Sequence, residues 1–313
     1  MSLLPSTTEI LFALGAGGDV VGVTFECDFP PEARSRPIVS TSNLTAGLTP
    51  CQIDAEVRAT VAAGEDLYHL EEGVLADLDP DLIVTQDLCA VCAVDVSTVD
   101  AALAHLGCDG RVLTVDPGTL ADVLDSITAI GAATGRESTA AGLVAGLRGR
   151  LAQVAAAVAG RRRPRVAVLE WTDPLFCAGH WVPDMVAAAG GTGALGTPGG
   201  RSVPISADDL ARSHPDLIVV APCGYRLAGA CDLATDLVEG GVLPSGVPVW
   251  AVDADAAFVR PGPRLVDGVE ALAAICHPDV LPSRSELAAA VGTTSAKTNP
   301  SRSTVSPTVT SRG

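Results

Sequence analysis

LADLDPDLIV (Leu75 to Val84) returns as LARSHPDLIV (Leu210 to Val219), with seven of the ten positions identical. Each copy reads as a helix end, a turn at Pro80 or Pro215, and a short apolar strand. The surroundings echo in the same order. VLTVDPGTLADVLDSITAIG, from Val112, is matched by VWAVDADAAFVRPGPRLVDGVEALAAI, from Val249. A single PDLIV could be an ordinary helix-to-strand junction. Two matches in one order imply a duplicated α/β unit and hence two similar lobes. Two lobes create a cleft, and small ligands bind between domains.

The segment between the halves, ESTAAGLVAGLRGRLAQVAAAVAG (Glu137 to Gly160), is rich in helix formers with apolar residues at helical spacing. It predicts one long helix joining the lobes as a stiff strut. Arg161 to Arg163 follow, where cations complement the helix dipole. The expected organisation is an N-terminal α/β lobe over 1–134, a connecting helix over 135–163, a C-terminal α/β lobe over 164–282 and a disordered tail over 283–313. From about Gly292 the tail is mostly Ser, Thr, Asn, Pro and Arg, which bury too little apolar surface to order themselves.

Within the lobes, Ser6 or Thr7 is the expected N-cap of a helix whose apolar face is Ile10, Leu11 and Leu14. Thr49, Pro50 and Gln52 spell a capping box for a helix running to about Ala63. Further helices are expected over 71–78, 120–134, 183–189 and 264–275. Strands are expected over 20–23, 81–85, 112–115, 166–171, 217–221 and 249–252.

The formal net charge of −17 is concentrated in the first lobe, which argues against a nucleic-acid partner. An acidic rim can instead meet arginines of a partner protein. No apolar run approaches the roughly 20 residues of a membrane span, and no signal peptide is visible. As written, the chain reads as cytoplasmic. It opens abruptly on a strand end, so an upstream start would make it extracytoplasmic. Nine scattered cysteines form no disulfide framework and read mostly as small core residues. No GxxxxGK[ST] is present, so any ATPase is another chain.

LLPSTTEILFALGAGGDVVGVTFECDFPPEA, TQDLCAVCAV, LEWTDPLFCAGHWVPDMVAAAGG and RPGPRLVDGVEALA follow one another over roughly residues 1–280. Together these stretches resemble the cobalamin-binding branch of the ABC-transporter substrate-binding proteins, a two-lobed group that includes haem and siderophore binders. The resemblance implies a class III periplasmic-binding-protein-like fold, with a corrinoid held between lobes bridged by one helix. It implies no enzymatic activity, no required cofactor, cobalamin as bound ligand, an ABC permease as partner and a monomeric chain. Phe25 stands where the family commonly has His.

The candidate ligand-binding residues are Pro5, Ser6, Thr7 and Thr8 at a helix start, and Glu26, Asp28 and Phe29 in a proline-rich loop. In the second lobe they are Trp171, Phe176, His180 and Trp181, then Phe258 and Arg260. A large flat ligand needs apolar plates and a few polar anchors, and in a chain only 3% aromatic these clustered rings stand out. Plain capping, core packing and ion pairing are the competing roles. His180 can ligate a metal axially or serve only as a hydrogen-bond partner. By resemblance, Glu71 and Glu72 in one lobe and Asp208 in the other meet permease arginines. Cys89 and Cys92 form a CxxC, open to structural, metal-binding or redox roles; a zinc site would need Cys27, Asp28, His180 or Cys223 as partners. The rival ligands are haem and ferric siderophores. The rival class is a cytosolic metal- or thiol-dependent enzyme processing a corrinoid.

Overall fold

The structure is a computed structural model that describes residues 1–71, 74, 77–86 and 110–294. It has the two-lobed α/β architecture expected. The first lobe contains strands β1 (Val23–Thr24), β2 (Ile38–Ser42), β3 (Tyr68–Leu70), β4 (Leu82–Thr85) and β5 (Arg111–Thr114). β1 pairs in parallel with β2, β2 antiparallel with β3, and β4 in parallel with β5. Ser2 bridges Val23 on one side and Val84 on the other, so residues 1–3 join the two groups of strands. The strand expected over 20–23 is corrected to Val23–Thr24, because Gly17–Asp19 form a 3₁₀ turn first.

The second lobe is a seven-stranded sheet of β6 (Arg165–Thr172), β7 (Leu175–Cys177), β8 (Thr192–Gly193), β9 (Val203–Pro204), β10 (Leu217–Val220), β11 (Pro248–Val252) and β12 (Ala288–Thr293). The order is β12-β11-β10-β6-β7-β9, with β8 against β6. β12 lies antiparallel to β11, Ala251 opposite Ala289. The tail expected from residue 283 is therefore corrected over 288–293: Ala and Val there offer a small apolar edge to the sheet, and Ala288 is buried. Residues 295–313 lie outside the described residues.

The duplication is visible in the strand register. Ile83 pairs with Val112 across β4 and β5, and Ile218 pairs with Val249 across β10 and β11. The repeated residues are thus the same rungs of two parallel ladders. Asp79 and His214, equivalent in the repeat, both take positive φ (36° and 44°) immediately before Pro80 and Pro215. The two turns share even this left-handed backbone, uncommon in non-glycine residues.

The described helices are α1 (Pro5–Ala13), α2 (Pro50–Ala63), α3 (Leu120–Ala133), α4 (Glu137–Ala157), α5 (Val182–Ala188), α6 (Ala207–Arg212), α7 (Leu227–Gly240), α8 (Ala254–Ala257) and α9 (Leu265–Cys276). α2 has the capping box read from its sequence, closed between Thr49 and Gln52. α1 does not begin as expected. Leu4 is its N-cap and Pro5 its first residue, a position where the missing N–H costs nothing.

At 21 residues, α4 is about 30 Å long. Its buried residues Ala140, Val144 and Leu147 belong to the first-lobe core, while Val154 belongs to the second-lobe core. One helical stripe thereby enters both cores. Arg150, on the same helix, donates to Asp267 (2.5 Å) and Glu270 (2.8 Å) of α9. The lobes touch elsewhere too: Leu120 and Val123 of α3 pack in the second-lobe core, and Val266 of α9 in the first. Arg161 and Arg162 pair with Asp279 and Asp216, and Arg163 donates to the carbonyls of Ala187 and Gly191. The triplet thus pins the end of the strut to the second lobe.

Candidate functional site at the seam between the lobes

β6, β10 and β11 run parallel, so the loops after them meet at one edge of the second sheet. The loop after β1 and the start of α1 face them from the first lobe. The carboxyl edge of parallel strands is where open α/β sheets bind ligands. Here the edge is crossed by an arginine–carboxylate lattice.

Asp28, following β1, accepts from Arg260 Nη1 at 2.6 Å and from Arg226, both of the second lobe. Arg34 of the first lobe approaches the same carboxylate at 3.4 Å. Arg260 is also held by Asp255 (2.7 Å) and lies 3.5 Å from Glu9 of α1. Glu9 accepts two bonds from Arg264, at Nε (2.8 Å) and Nη2 (2.5 Å), and its side chain is only 2% exposed. The Arg264 guanidinium carbon sits 4.1 Å from the centroid of the Phe29 ring. A charged plane on an aromatic face is a cation–π contact.

Burial governs the protonation of this group. It works against the charge on Arg260, but Asp255, Asp28 and Glu9 outweigh it and hold Arg260 charged. Burial also raises Glu9, Glu26 and Asp255, each only partly compensated by its arginines. Asp28 is the exception: burial would raise it, yet Arg260 and Arg226 together hold it below the usual aspartate range.

The expected site residues divide into three groups. Glu26, Asp28, Phe29 and Arg260 come together at the seam. Phe29 is 41% exposed, so much of its surface is open beside Arg264. Trp171, at the end of β6, is half-buried and crosses the seam, its Nε1 donating to the Pro50 carbonyl at 3.2 Å. Its ring meets Tyr225 edge-on at 6.1 Å. Phe176 is half-buried on β7 beside Pro204. His180 is half-buried with a left-handed backbone (φ 52°), and burial, then Arg201, lower its pKa, which favours the neutral imidazole.

A second group turns inward. Ser6, Thr7 and Thr8 are buried in the first turn of α1 behind half-buried Pro5. The Thr7 and Thr8 hydroxyls bond Ser2 Oγ at 2.6 and 2.8 Å, and Thr8 Oγ1 lies 3.0 Å from Cys27 Sγ. These two hydroxyls fasten the first strand stub to the helix. Trp181 and Phe258 are corrected from cleft walls to core: they are 6% and 0% exposed in the second-lobe core, and Trp181 Nε1 donates to the Phe258 carbonyl at 2.7 Å. The apolar drive to bury large rings decides both.

A third group lies apart. Asp208 is exposed in the first turn of α6, and Glu71 is half-buried just after β3. Glu72, Cys89 and Cys92 lie outside the described residues. Of the six described cysteines, Cys27 and Cys177 are buried while Cys51 and Cys223 are exposed, which corrects the reading of mostly core thiols. Among the described residues no three of His, Cys, Asp or Glu are grouped to hold a metal ion, and no helix is long and apolar enough to cross a membrane.

Sequence reading missed Glu9, Arg226, Asp255 and Arg264. Glu9 carried a signal: it is an acid set between buried Thr8 and Ile10, and such a charge requires a partner.

Two α/β lobes on a shared helix, with polar and aromatic groups converging at the seam, define a two-lobed solute-binding protein. The periplasmic binding protein family model matches residues 1–242, and the chain belongs to that family. It is a binding protein, not an enzyme. It is 28% identical over 290 residues to an uncharacterized ABC transporter substrate-binding lipoprotein, YvrC, of Bacillus subtilis, covering 89% of this chain and 80% of that one. Among solved structures it is similar to a periplasmic haem-binding protein from Pseudomonas aeruginosa, with TM-score 0.67, 22% identity and coverage of 95% and 98% of the two chains. It is also similar to the periplasmic vitamin B12-binding protein BtuF of Vibrio cholerae, with TM-score 0.58, 22% identity and coverage of 88% and 95%.

Proposed function

We propose that this protein binds a corrinoid such as cobalamin at the seam between its lobes and hands it to an ABC permease. The observation that carries the reading is the make-up of the seam. Phe29 offers an exposed aromatic surface from one lobe, Trp171 and Phe176 are half-buried on the other, and Arg34, Arg226, Arg260 and Arg264 beside Phe29 are already paired with carboxylates. A flat ring with an uncharged, amide-bearing periphery matches apolar plates with polar but neutralised surroundings. The motif resemblance to the cobalamin-binding branch and the vitamin B12-binding neighbour point the same way. Delivery to a permease places the working protein outside the cytoplasm, with Asp208, Glu71 and Glu72 as the acidic docking groups.

Binding and release follow from modest lobe movement. The strut enters both cores, so the lobes tilt about it rather than swing apart. Neutral His180 is the candidate axial or hydrogen-bonding group. Titration with cyanocobalamin, followed by calorimetry and visible spectrum, tests the reading, with haemin and a ferric siderophore alongside. One-to-one cobalamin binding supports it. A spectral shift lost in His180→Ala adds axial ligation. Binding of haemin or siderophore with none of cobalamin overturns the corrinoid assignment and gives the seam to the rival ligand.

A further inference from the structure

Arg34, Arg226, Arg260 and Arg264, clustered around Asp28 and Phe29, are groups an anionic ligand would seek, and each has a carboxylate of the protein within 4.0 Å. Four arginines (Arg34, Arg226, Arg260, Arg264) face four carboxylates (Glu9, Glu26, Asp28, Asp255), a formally neutral set. We propose that Asp28, backed by Glu26 and Asp255, is a specificity determinant: it occupies the cross-lobe arginines as an internal anion and excludes ligands whose periphery carries carboxylates. The inference rests on the reading of the seam as the ligand site, and it names the charge class that site accepts.

Two physical effects produce the exclusion. A ligand carboxylate must compete for Arg226 and Arg260 with Asp28, which is tethered beside them at high effective concentration. If it succeeds, Asp28 is stranded next to Glu26, Asp255 and the incoming anion, a like-charge arrangement that opposes binding. An amide meets neither obstacle. It accepts from a guanidinium edge or donates to a carboxylate without displacing an ion pair. Position makes Asp28 the pivot: it bonds Arg226 and Arg260 of the opposite lobe and also meets Arg34 of its own, while Glu9 holds Arg264 and Arg260 from a more deeply buried place.

Two ligand pairs that share a ring and differ in charge test this on the full chain. They are cobinamide against its side-chain carboxylate counterpart, and haemin against haemin dimethyl ester, read by tryptophan quenching and calorimetry. The expected result is that the uncharged member of a bound pair wins by at least about tenfold, the size of a single like-charge penalty. Asp28→Asn should shrink that ratio to near unity by tightening the carboxylate member. Glu26→Gln, which breaks no ion pair, should shrink it part of the way and guards against an unfolded Asp28 variant.

Preference for the ester with no corrinoid bound upholds the filter and overturns the corrinoid assignment. Corrinoid binding with amide and carboxylate forms equally tight, or an equal shift of both by Asp28→Asn, overturns the filter and leaves the assignment standing. Binding of none of the four overturns both.

Discussion

The cross-lobe pair of Glu9 and Arg264 offers the most direct perturbation. The Glu9 side chain is 2% exposed and makes two bonds to Arg264, whose side chain is 19% exposed. Removing one partner of such a pair leaves an uncompensated charge and costs about 3–5 kcal/mol. Glu9→Leu is therefore expected to destabilise the protein by about 4 kcal/mol, since it strands Arg264 and also withdraws a carboxylate 3.5 Å from Arg260. For a chain of this length, that is a fall in Tm of about 6 °C. The pair's net contribution is far smaller than this cost, because burial already disfavours the Glu9 charge.

Replacing both partners, Glu9→Leu with Arg264→Met, should recover most of the loss. The residue is about 1 kcal/mol for the cation–π contact with Phe29. A double-mutant cycle by calorimetry or urea denaturation should then show coupling of at least about 3 kcal/mol, the Glu9→Leu loss less the residue in the double variant, with the cost of Arg264→Met alone added to it. A single-variant loss under about 1 kcal/mol, or a double variant as unstable as the sum of the singles, refutes a buried cross-lobe pair.

Phe258→Ala should cost about 3–5 kcal/mol in denaturant titration while leaving ligand affinity unchanged wherever the protein is folded, because the ring is core and not wall. Asp28, held below its usual value of 3.8, stabilises the fold fully above that pH and loses its contribution as the pH falls through the lower folded value. Stability measured from about pH 5 to pH 2 should therefore fall less steeply in Asp28→Asn than in wild type, and parallel curves would sink the argument. Burial pushes the Cys27 thiol up to about 12, so at about pH 8 a thiol reagent should label exposed Cys51 and Cys223 first and Cys27 only after denaturation, as read by peptide mass spectrometry.

Local and repetitive signals carried the fold. PDLIV twice, each followed by a second strand of matching start, specified two parallel ladders in one register. The stripe of α4 and the Thr49–Gln52 capping box were legible because their partners lie within one helical turn or along one face. Elements with weak local signal were not. β12 is built from Ala, Val, Gly and Thr in a stretch whose composition reads as tail, and only the free edge of β11 orders it. The cap of α1 was misplaced because Ser6 and Thr7 look like caps, while the hydroxyls of Thr7 and neighbouring Thr8 are drawn to Ser2 on the adjacent strand stub.

The amino-acid sequence by itself determined the two lobes, the strut and the loops from which ligand groups come, since all of these follow from periodicity and repetition along the chain. Only the tertiary structure decided which of those side chains share the seam. Trp181 and Phe258 have the same chemistry as Phe29, yet burial claims the first two and leaves the third exposed. Glu9 and Arg264 are 255 positions apart, and nothing local marks them as partners. Their pairing exists because the two lobes, packed on one strut, bring both side chains to one seam, where burial makes an unpaired charge costly and each of these two meets its opposite.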